Sequence, residues 1–291
     1  LRAARAEHPD RPLLVVMGSS RTCQAFRAEA LPPLETPDGR TVLPFNLSRH
    51  ACGPIYCRLA YGRLPRQGLT PDYAVVELMP VLFVRKFEQV FNTAATADEL
   101  PALAAYTSPD RAAKFYVRNR YVPWRANRSG ILRWFAPTWA IPFAAEDPDW
   151  LEPLGGDARV PTWVSDENRA VLTARTVART KTLTVDYGID PGQDRAMRDL
   201  LRACREAGTR VVVIRTPEST AYRTAYGPGT EAIVDEYAAR LGRECGVPVV
   251  DARRWLSDDQ FFDGDHPLLS GQVTFTARLH REVLVPLVAG H

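Results

Sequence analysis

The sequence predicts an α/β fold of three layers, in which a parallel sheet lies between two layers of helices. Two observations predict it: short apolar runs recur along the chain, and segments with helical spacing of apolar residues lie between them. Strands that alternate with helices favour a parallel sheet covered on both faces. The chain has 291 residues and 45% hydrophobic content, which is enough for one large domain with an insertion.

The apolar runs are predicted to form five strands. The first run, residues 13–17, is bounded by Arg11 and Pro12 and ends at Gly18, as expected of a short strand buried on both faces. The five predicted strands are residues 13–17, 42–47, 73–78, 210–215 and 247–250. The predicted helices are residues 21–30, 55–64, 194–207, 230–245 and 271–287. Gly208 and Gly246 follow two of these helices directly and are typical helix-stop signals.

Residues 80–191, between the third and fourth strands, interrupt this alternation. The interval is too long for a plain crossover loop. It holds five of the six tryptophans, and residues 111–133 carry seven basic side chains and no acidic one. We therefore predict a single domain, residues 1–291, with a large helical insertion near the functional edge of the sheet. The insertion either buries its tryptophans in a core of its own or forms a substrate wall that includes Trp124, Trp134 and Trp139.

Composition and motif spacing exclude several classes of function. The net charge of +3 gives no electrostatic reason to expect nucleic acid as a partner. No apolar stretch is long enough to predict a transmembrane helix. Five cysteines leave at least one thiol unpaired; Cys52 and Cys57 are close enough in sequence to bridge, but free buried cysteines are the more common arrangement. His50 with these two cysteines lacks a fourth ligand, so we predict no metal site and no cofactor.

The first predicted strand ends in Gly18, Ser19 and Ser20, directly before a helical segment. Ligands of open α/β sheets bind at the carboxyl ends of the strands, where this turn would lie. A serine in such a turn either caps the helix or acts as a nucleophile, and the local sequence does not separate the two roles.

An Asp and a His stand close together just before the last predicted helix, in the segment FFDGDHP. A serine hydroxyl becomes a useful nucleophile when an imidazole removes its proton, and the imidazole needs a carboxylate to fix its tautomer. Asp263 and His266 could supply both from one short loop, and Ser20 could be their nucleophile. An isolated Asp-x-x-His pair is more often a solvated loop, so the case depends on the combination.

In order and spacing, these blocks resemble the SGNH hydrolase superfamily, also called GDSL-like esterases. The resemblance gives Ser20 the position of the nucleophile, with Ser19 where the family usually has Asp. It implies that His266 is the base and that Asp263, rather than Asp265, is the orienting carboxylate. It also implies a flavodoxin-like sheet. The stretch FNLSRHACGP looks like the second block, whose glycine N–H helps to form the oxyanion hole, so Gly53 is the candidate there.

The third block departs from the family pattern. An oxyanion-binding Asn is expected after the third strand, but Glu77 stands near that place. An ionised carboxylate cannot donate a hydrogen bond to an oxyanion. We expect that an arginine holds Glu77, with Arg21 and Arg215 as candidates that could also contact substrate. The alternative is that Glu77 accepts backbone N–H groups and anchors a neighbouring loop.

The chain is further similar to a divergent branch of bacterial envelope proteins that add or handle O-acetyl groups on alginate and other exopolysaccharides. This likeness implies an esterase or O-acetyltransferase acting on acyl esters of an envelope carbohydrate, with carbohydrate and other envelope proteins as partners. It also implies an extracytoplasmic, periplasmic location, with a membrane anchor or signal upstream of Leu1. The alternative function is a non-catalytic binding or scaffolding module, which the missing Asn favours.

Overall fold

The computed structural model describes residues 1–84, 96–121 and 160–290. Its core is a five-stranded sheet in which every pair of neighbouring strands is parallel. The strands are β1 (Leu13–Met17), β2 (Leu43–Asn46), β3 (Tyr73–Glu77), β4 (Arg210–Arg215) and β5 (Val249–Asp251). Their spatial order is β2-β1-β3-β4-β5. The predicted parallel α/β fold is therefore confirmed, with the 2-1-3-4-5 order of flavodoxin-like sheets.

Helices connect and flank the strands. In chain order they are α1 (Arg2–Glu7), α2 (Ser20–Ala25), α3 (Pro54–Arg63), α4 (Leu100–Tyr106), α5 (Pro109–Tyr121), α6 (Asp166–Leu183), α7 (Pro191–Glu206), α8 (Thr220–Arg223), α9 (Pro228–Cys245), α10 (Leu269–Leu279) and α11 (Val285–Ala289). Short 3₁₀ turns lie at Ala28–Ala30, Pro65–Gln67, Pro80–Phe83, Ala97–Glu99 and Asp258–Gln260. Among the described residues, no helix is both long enough and apolar enough to cross a bilayer.

The period of two along each strand divides the core into two layers. Val15 and Met17 of β1 face one cluster, which α3, α7 and α9 complete, whereas Leu14 and Val16 face the other, which α2, α10 and α11 complete. All five residues of β1 are buried because each face of the sheet carries helices. The result is the predicted three-layer arrangement.

Strand order also fixes where a site can form. The connection after β1 runs to β2 on one side, and the connection after β3 runs to β4 on the other side. The loops after the neighbouring strands β1 and β3 therefore diverge and leave a crevice between them. Crevices of this kind, at the carboxyl ends of the strands, are where open α/β sheets bind ligands. The Gly18–Ser20 turn follows β1 and therefore lies at the switch point.

The predicted helix of residues 21–30 is shorter in the structure: α2 ends at Ala25, because Phe26 has an extended backbone, and only a 3₁₀ turn, Ala28–Ala30, follows.

Two other differences from the sequence prediction have backbone reasons. Strand β5 begins at Val249 rather than at Val247, because the Val247 N–H bonds the Gly242 carbonyl and closes helix α9, and Pro248 has no N–H to donate. The predicted C-terminal helix is divided by a π-helical turn, His280–Leu284. Pro286 follows that turn, and proline disrupts the regular hydrogen bonding of a helix interior.

The described parts of the segment between β3 and β4 pack in two places. Leu103 of α4 and Ala112 of α5 share a buried cluster with Ile55 of α3 and Ala196 of α7. Helix α6 instead packs beside α8, and Leu183 contacts the cluster of Tyr222 and Tyr226. The segment thus contributes helices on both sides of the sheet edge that carries the Gly18–Ser20 turn.

Candidate active site

The turn after β1 is held in place by a close backbone approach. A Cβ on Gly18 would lie 2.4 Å from Oε2 of Glu77 and 2.6 Å from Oγ1 of Thr22, so only glycine fits. Ser19 is the N-cap of α2, and its Oγ accepts the N–H of Arg21 at 3.2 Å. The capping role that the sequence could not assign therefore belongs to Ser19. Ser20, the first residue of α2, keeps its hydroxyl for another partner.

The loop before α10 is a tight turn built by Asp263. Its Oδ1 accepts the N–H of His266 at 2.9 Å and that of Asp265 at 3.2 Å. Gly264 between them has φ +92°, a conformation that side chains rarely adopt. The ring of Phe262 stacks on the His266 ring with centroids 5.7 Å apart. These contacts hold the turn and the imidazole in place.

The structure brings the three predicted triad residues together. The Oγ of Ser20 lies 2.8 Å from Nε2 of His266, across 246 positions of sequence. Nδ1 of the same ring lies 2.9 Å from Oδ2 of Asp263. These are the hydrogen-bond distances that a nucleophile, a base and an orienting carboxylate require.

A second carboxylate reaches the same ring. Oδ1 of Asp265 lies 2.8 Å from Nδ1 of His266, and Asp265 is 2% exposed. This contact is close but poorly aligned for hydrogen bonding, since that oxygen has no aligned donor among the described residues. The aligned bond belongs to Asp263, as the sequence analysis expected. Asp265, which the family resemblance placed behind Asp263 as the orienting carboxylate, nevertheless lies as close to the ring as Asp263 does.

The charges of His266, Asp263 and Asp265 shift one another's pKa values. Burial alone lowers the pKa of His266, but the carboxylates of Asp263 and then Asp265 outweigh it and hold that pKa well above the usual value. Burial raises the pKa of Asp263, and the neighbouring Asp265 adds to the rise. Burial also acts to raise the pKa of Asp265, but the adjacent positive charge of His266 and then that of Arg21 lower it to about 2. Both carboxylates therefore favour the positively charged form of the His266 ring.

The prediction that an arginine holds Glu77 is wrong. Glu77 is buried, its Oε2 accepts the N–H of Ser19 at 2.5 Å, and its Oε1 accepts the hydroxyl of Thr216 at 2.8 Å. The alternative, that Glu77 anchors a neighbouring loop, describes these contacts. Glu77 joins the turn after β1 to the loop after β4, two loops on adjoining parts of the sheet edge.

Arg21 and Arg215 have other partners. Nη1 of Arg21 pairs with Oε1 of Glu218 at 3.0 Å, and its Nη2 donates to the carbonyls of Thr216 at 3.0 Å and Pro217 at 2.7 Å. Arg215 forms an ion pair with Asp235. Both arginines are buried and paired, so neither is a free cation for substrate or for Glu77.

The Arg21–Glu218 pair is the centre of a buried polar network. Oε1 of Glu218 also accepts the hydroxyl of Tyr226 at 3.0 Å, and the Arg21 guanidinium lies 5.3 Å from the ring centroid of Tyr222. Burial by itself lowers the pKa of Arg21, but the Glu218 carboxylate, together with smaller contributions from Tyr222, Tyr226 and Glu77, outweighs this and raises it. Sequence reasoning missed Glu218. Its position just after β4, at the same sheet edge as Arg21, was the available signal.

Gly53 ends the loop after β2 and is the N-cap of α3. The atoms nearest to the position of its absent Cβ belong to Leu82 and Gln193. Its role as an oxyanion donor stays a prediction. Asn46, in the same sequence block, is structural: its side-chain N–H donates to the carbonyl of Phe26 at 2.8 Å.

The predicted substrate wall of Trp124, Trp134 and Trp139 lies outside the described residues. Helix α6, which is described, approaches the site loop: Thr173 lies near Gly264, where an added Cβ would come within 3.0 Å of it. All five cysteines are buried, and none of them forms a disulfide. Cys52 and Cys57 are therefore not bridged, as the more common arrangement of buried thiols predicts.

One group of metal-ligand side-chain types occurs in the described ranges, namely Asp263, Asp265 and His266, whose ligand atoms lie within 4.8 Å of one another. Both nitrogens of the imidazole already face protein partners, the carboxylates on one side and Ser20 on the other. That arrangement fits a proton-transfer chain.

No protein-family model matches the chain, and no curated protein matches it. Among solved structures, a similar chain is LAE5, an alpha/beta hydrolase enzyme from the metagenome of Lake Arreo, Spain. The two are 11% identical, the match covers 91% of each chain, and the TM-score is 0.34. So distant a likeness carries no argument, and the fold assignment rests on the sheet order and layers described above.

Proposed function

We propose that this chain is a serine-dependent acyl ester hydrolase of the SGNH type. Ser20 is the nucleophile, His266 is the general base and then the general acid, and Asp263 orients the imidazole. The observation that carries the proposal is the continuous chain of hydrogen bonds, 2.8 Å from Ser20 to His266 and 2.9 Å from His266 to Asp263. Cap, turn and stacking contacts hold its members in place, as a site built for catalysis requires.

The reaction follows from these contacts. The Oγ of Ser20 attacks the carbonyl carbon of the ester while Nε2 of His266 takes its proton. The tetrahedral intermediate collapses, the bond to the leaving alcohol breaks, and His266 returns the proton to that alcohol. Water then attacks the acyl–Ser20 ester while Nε2 of His266 takes its proton. The bond between the acyl carbon and Oγ of Ser20 breaks, and His266 returns the proton to Oγ, which releases the acid and restores the enzyme. If a sugar hydroxyl takes the place of water, the same steps transfer the acyl group.

Oxyanion stabilisation in this proposal depends on backbone donors. Ser20 opens helix α2, so its N–H has no acceptor within the helix, and the Gly53 N–H is the second candidate. Both oxygens of Glu77 are engaged elsewhere, and a carboxylate does not replace the missing Asn. Because one oxyanion donor typically contributes about 10²–10³ in rate, we expect slow turnover.

The finer proposal is that the substrate is an acyl ester, in the first place an acetyl ester, of a cell-envelope carbohydrate, handled outside the cytoplasm. Support comes from the sequence blocks around Ser20 and Asp263–His266, which resemble those of proteins that act on exopolysaccharide O-acetyl groups. The test is acetate release from acetylated polysaccharides compared with acetylated small alcohols. Equal or faster release from the small alcohols would contradict the carbohydrate assignment.

A fluorophosphonate probe tests the nucleophile. We expect one covalent label, located on Ser20 by peptide mass spectrometry, and no label on Ser20→Ala. The matched control is Ser19→Ala, which removes the neighbouring hydroxyl and its helix cap; it should keep most of the labelling and lose about 1 kcal/mol of stability. A label on another residue, or a labelled Ser20→Ala, would contradict the assignment.

Glu77 at the place of the family's Asn favours a second candidate function, a non-catalytic carbohydrate-binding module. In that case the wild-type protein would show no label and no ester turnover at any pH, yet would bind an acetylated polysaccharide saturably. A single label at Ser20 with measurable turnover excludes this alternative.

A further inference from the structure

The imidazole of His266 has a neighbour that a serine triad does not need. Nδ1 carries a single proton, yet two carboxylate oxygens lie within 3 Å of it: Oδ2 of Asp263 at 2.9 Å and Oδ1 of Asp265 at 2.8 Å. Asp265 is buried, 2% exposed, so its charge is poorly hydrated. A buried carboxylate is tolerated when a cation or a donor compensates for the lost water.

The loop geometry delivers both carboxylates to one side of the ring. Oδ1 of Asp263 accepts the N–H groups of Asp265, at 3.2 Å, and His266, at 2.9 Å, which leaves its Oδ2 for Nδ1 of the ring. Gly264, at φ +92°, turns the chain between the two aspartates. A side chain on Gly264 would press within 3.0 Å of Ser219 and Thr173. Neighbouring segments therefore confine this turn, and Asp265 is unable to swing away from the ring freely.

We propose that Asp265 is a second positioning carboxylate for His266, so that the imidazole is held between two buried carboxylates where a serine triad has one. This inference rests on the proposed function and specifies how its base is tuned. Asp263 supplies the aligned hydrogen bond that fixes the tautomer. Asp265 supplies charge, because its oxygen is close to Nδ1 without an aligned bond.

The charged and titratable groups around this pair come from three other elements. Arg21 of α2 interacts with Asp265, and Tyr222 of α8 faces the same carboxylate. Glu218, after β4, pairs with Arg21 and takes up much of its positive charge. Two carboxylates thus face His266 directly, whereas the Arg21 guanidinium nearby is paired with Glu218. The charges around the ring therefore favour a positively charged imidazole.

A preference for imidazolium has a kinetic consequence. His266 must be neutral to accept the Ser20 proton, so activity should appear only as the pH rises through a His266 pKa that lies above its usual value. Replacing Asp265 by Asn removes one of the two charges that raise this pKa. The pKa then falls, and the neutral base becomes available at lower pH.

The experiment is the rate of fluorophosphonate labelling of Ser20 between about pH 5 and pH 10, for wild type, Asp265→Asn and Asp263→Asn. We expect Asp265→Asn to move the acid limb down by at least about one pH unit, since a charge at this distance shifts a pKa by about 1–3 units. We expect Asp263→Asn to lose most labelling at every pH, because the tautomer is no longer fixed. The matched control is Asp259→Asn, an exposed carboxylate in the preceding 3₁₀ turn, which should leave the limb in place.

An unmoved acid limb in a folded Asp265→Asn protein would overturn the proposal. If that variant does not fold, the wild-type limb decides: a midpoint at or below about 6.5, the ordinary value for His, overturns it equally. If the wild type never labels, the proposed function fails separately. The pKa of the His266 ring is then measured by NMR titration in wild type and in Asp265→Asn. A wild-type pKa above the ordinary value that is lower in Asp265→Asn supports the two-carboxylate arrangement, and equal pKa values in the two proteins refute it.

Discussion

Replacing Glu218 by Gln tests whether the buried network behind Ser20 stabilises the fold. Glu218 and Arg21 are each 1% exposed and lie 3.0 Å apart. The amide of Gln keeps an oxygen for Arg21 and for the Tyr226 hydroxyl but removes the negative charge. Arg21 would then remain buried without its main counterion.

The magnitude follows from the burial of the pair. Breaking a buried ion pair from one side costs about 3–5 kcal/mol, because a charge is left without compensation. Two carbonyls still accept from Arg21 and the Gln oxygen is retained, so we expect the lower end, about 3 kcal/mol. At about 2 °C per kcal/mol for a chain of this size, Tm should fall by about 6 °C.

The assay is thermal and urea unfolding of wild type and Glu218→Gln, with Glu244→Gln as the matched control. Glu244 pairs with Arg198 at 2.6 Å but is half exposed, and exposed pairs contribute about 0–1 kcal/mol. A Tm change in Glu218→Gln no larger than that of the control would refute the reasoning, since it would show that Arg21 does not need the Glu218 charge.

Two further predictions concern the turn after β1. Gly18→Ala should lower the free energy of unfolding by about 2–5 kcal/mol, because the new Cβ displaces the Glu77 carboxylate and leaves the Ser19 N–H unpaired. The control is Gly188→Ala, which has open space around it and should change stability by less than about 0.5 kcal/mol. Equal unfolding midpoints for the two variants would contradict this prediction. Glu77→Gln should lower the free energy of unfolding by only about 1 kcal/mol, because an amide can accept the Ser19 N–H and donate to the Thr216 hydroxyl, and only the charge on the hydrogen bonds is lost. A decrease of about 4 kcal/mol or more in urea unfolding would instead indicate that the substitution leaves a buried cation unpaired.

Local sequence predicted most of the sheet, and the family resemblance selected the three residues of the proposed triad. The bounds of β1 and β4 agree with the apolar runs at residues 13–17 and 210–215, because strands covered on both faces must be apolar throughout. The bounds of β5 were displaced because a helix-closing hydrogen bond and a proline determine where that strand can begin. Ser20, Asp263 and His266 were accessible because each occupies a recognisable turn at a strand or helix end.

The partners of the buried charges were not accessible in the same way. The sequence shows that Glu77, Arg21 and Arg215 are charged and would need partners if they were buried. Which residue becomes the partner of each charge depends on which loops meet at the sheet edge. Arg21 meets Glu218, 197 positions away, and Glu77 meets a backbone N–H and a threonine. These choices are long-range, and no local pattern encodes them.

The sequence by itself determined the parallel α/β fold, the turn that carries Ser20 and the short loop that carries Asp263 and His266, because periodicity and turn chemistry are local properties. Only the tertiary structure decided that Ser19 caps the helix, that Glu77 links the loops after β1 and β4, and that Asp265 contacts the imidazole beside Asp263. The physical reason is that burial and charge balance depend on every element packed around a group, and strands and loops distant in the chain come together only when the sheet closes.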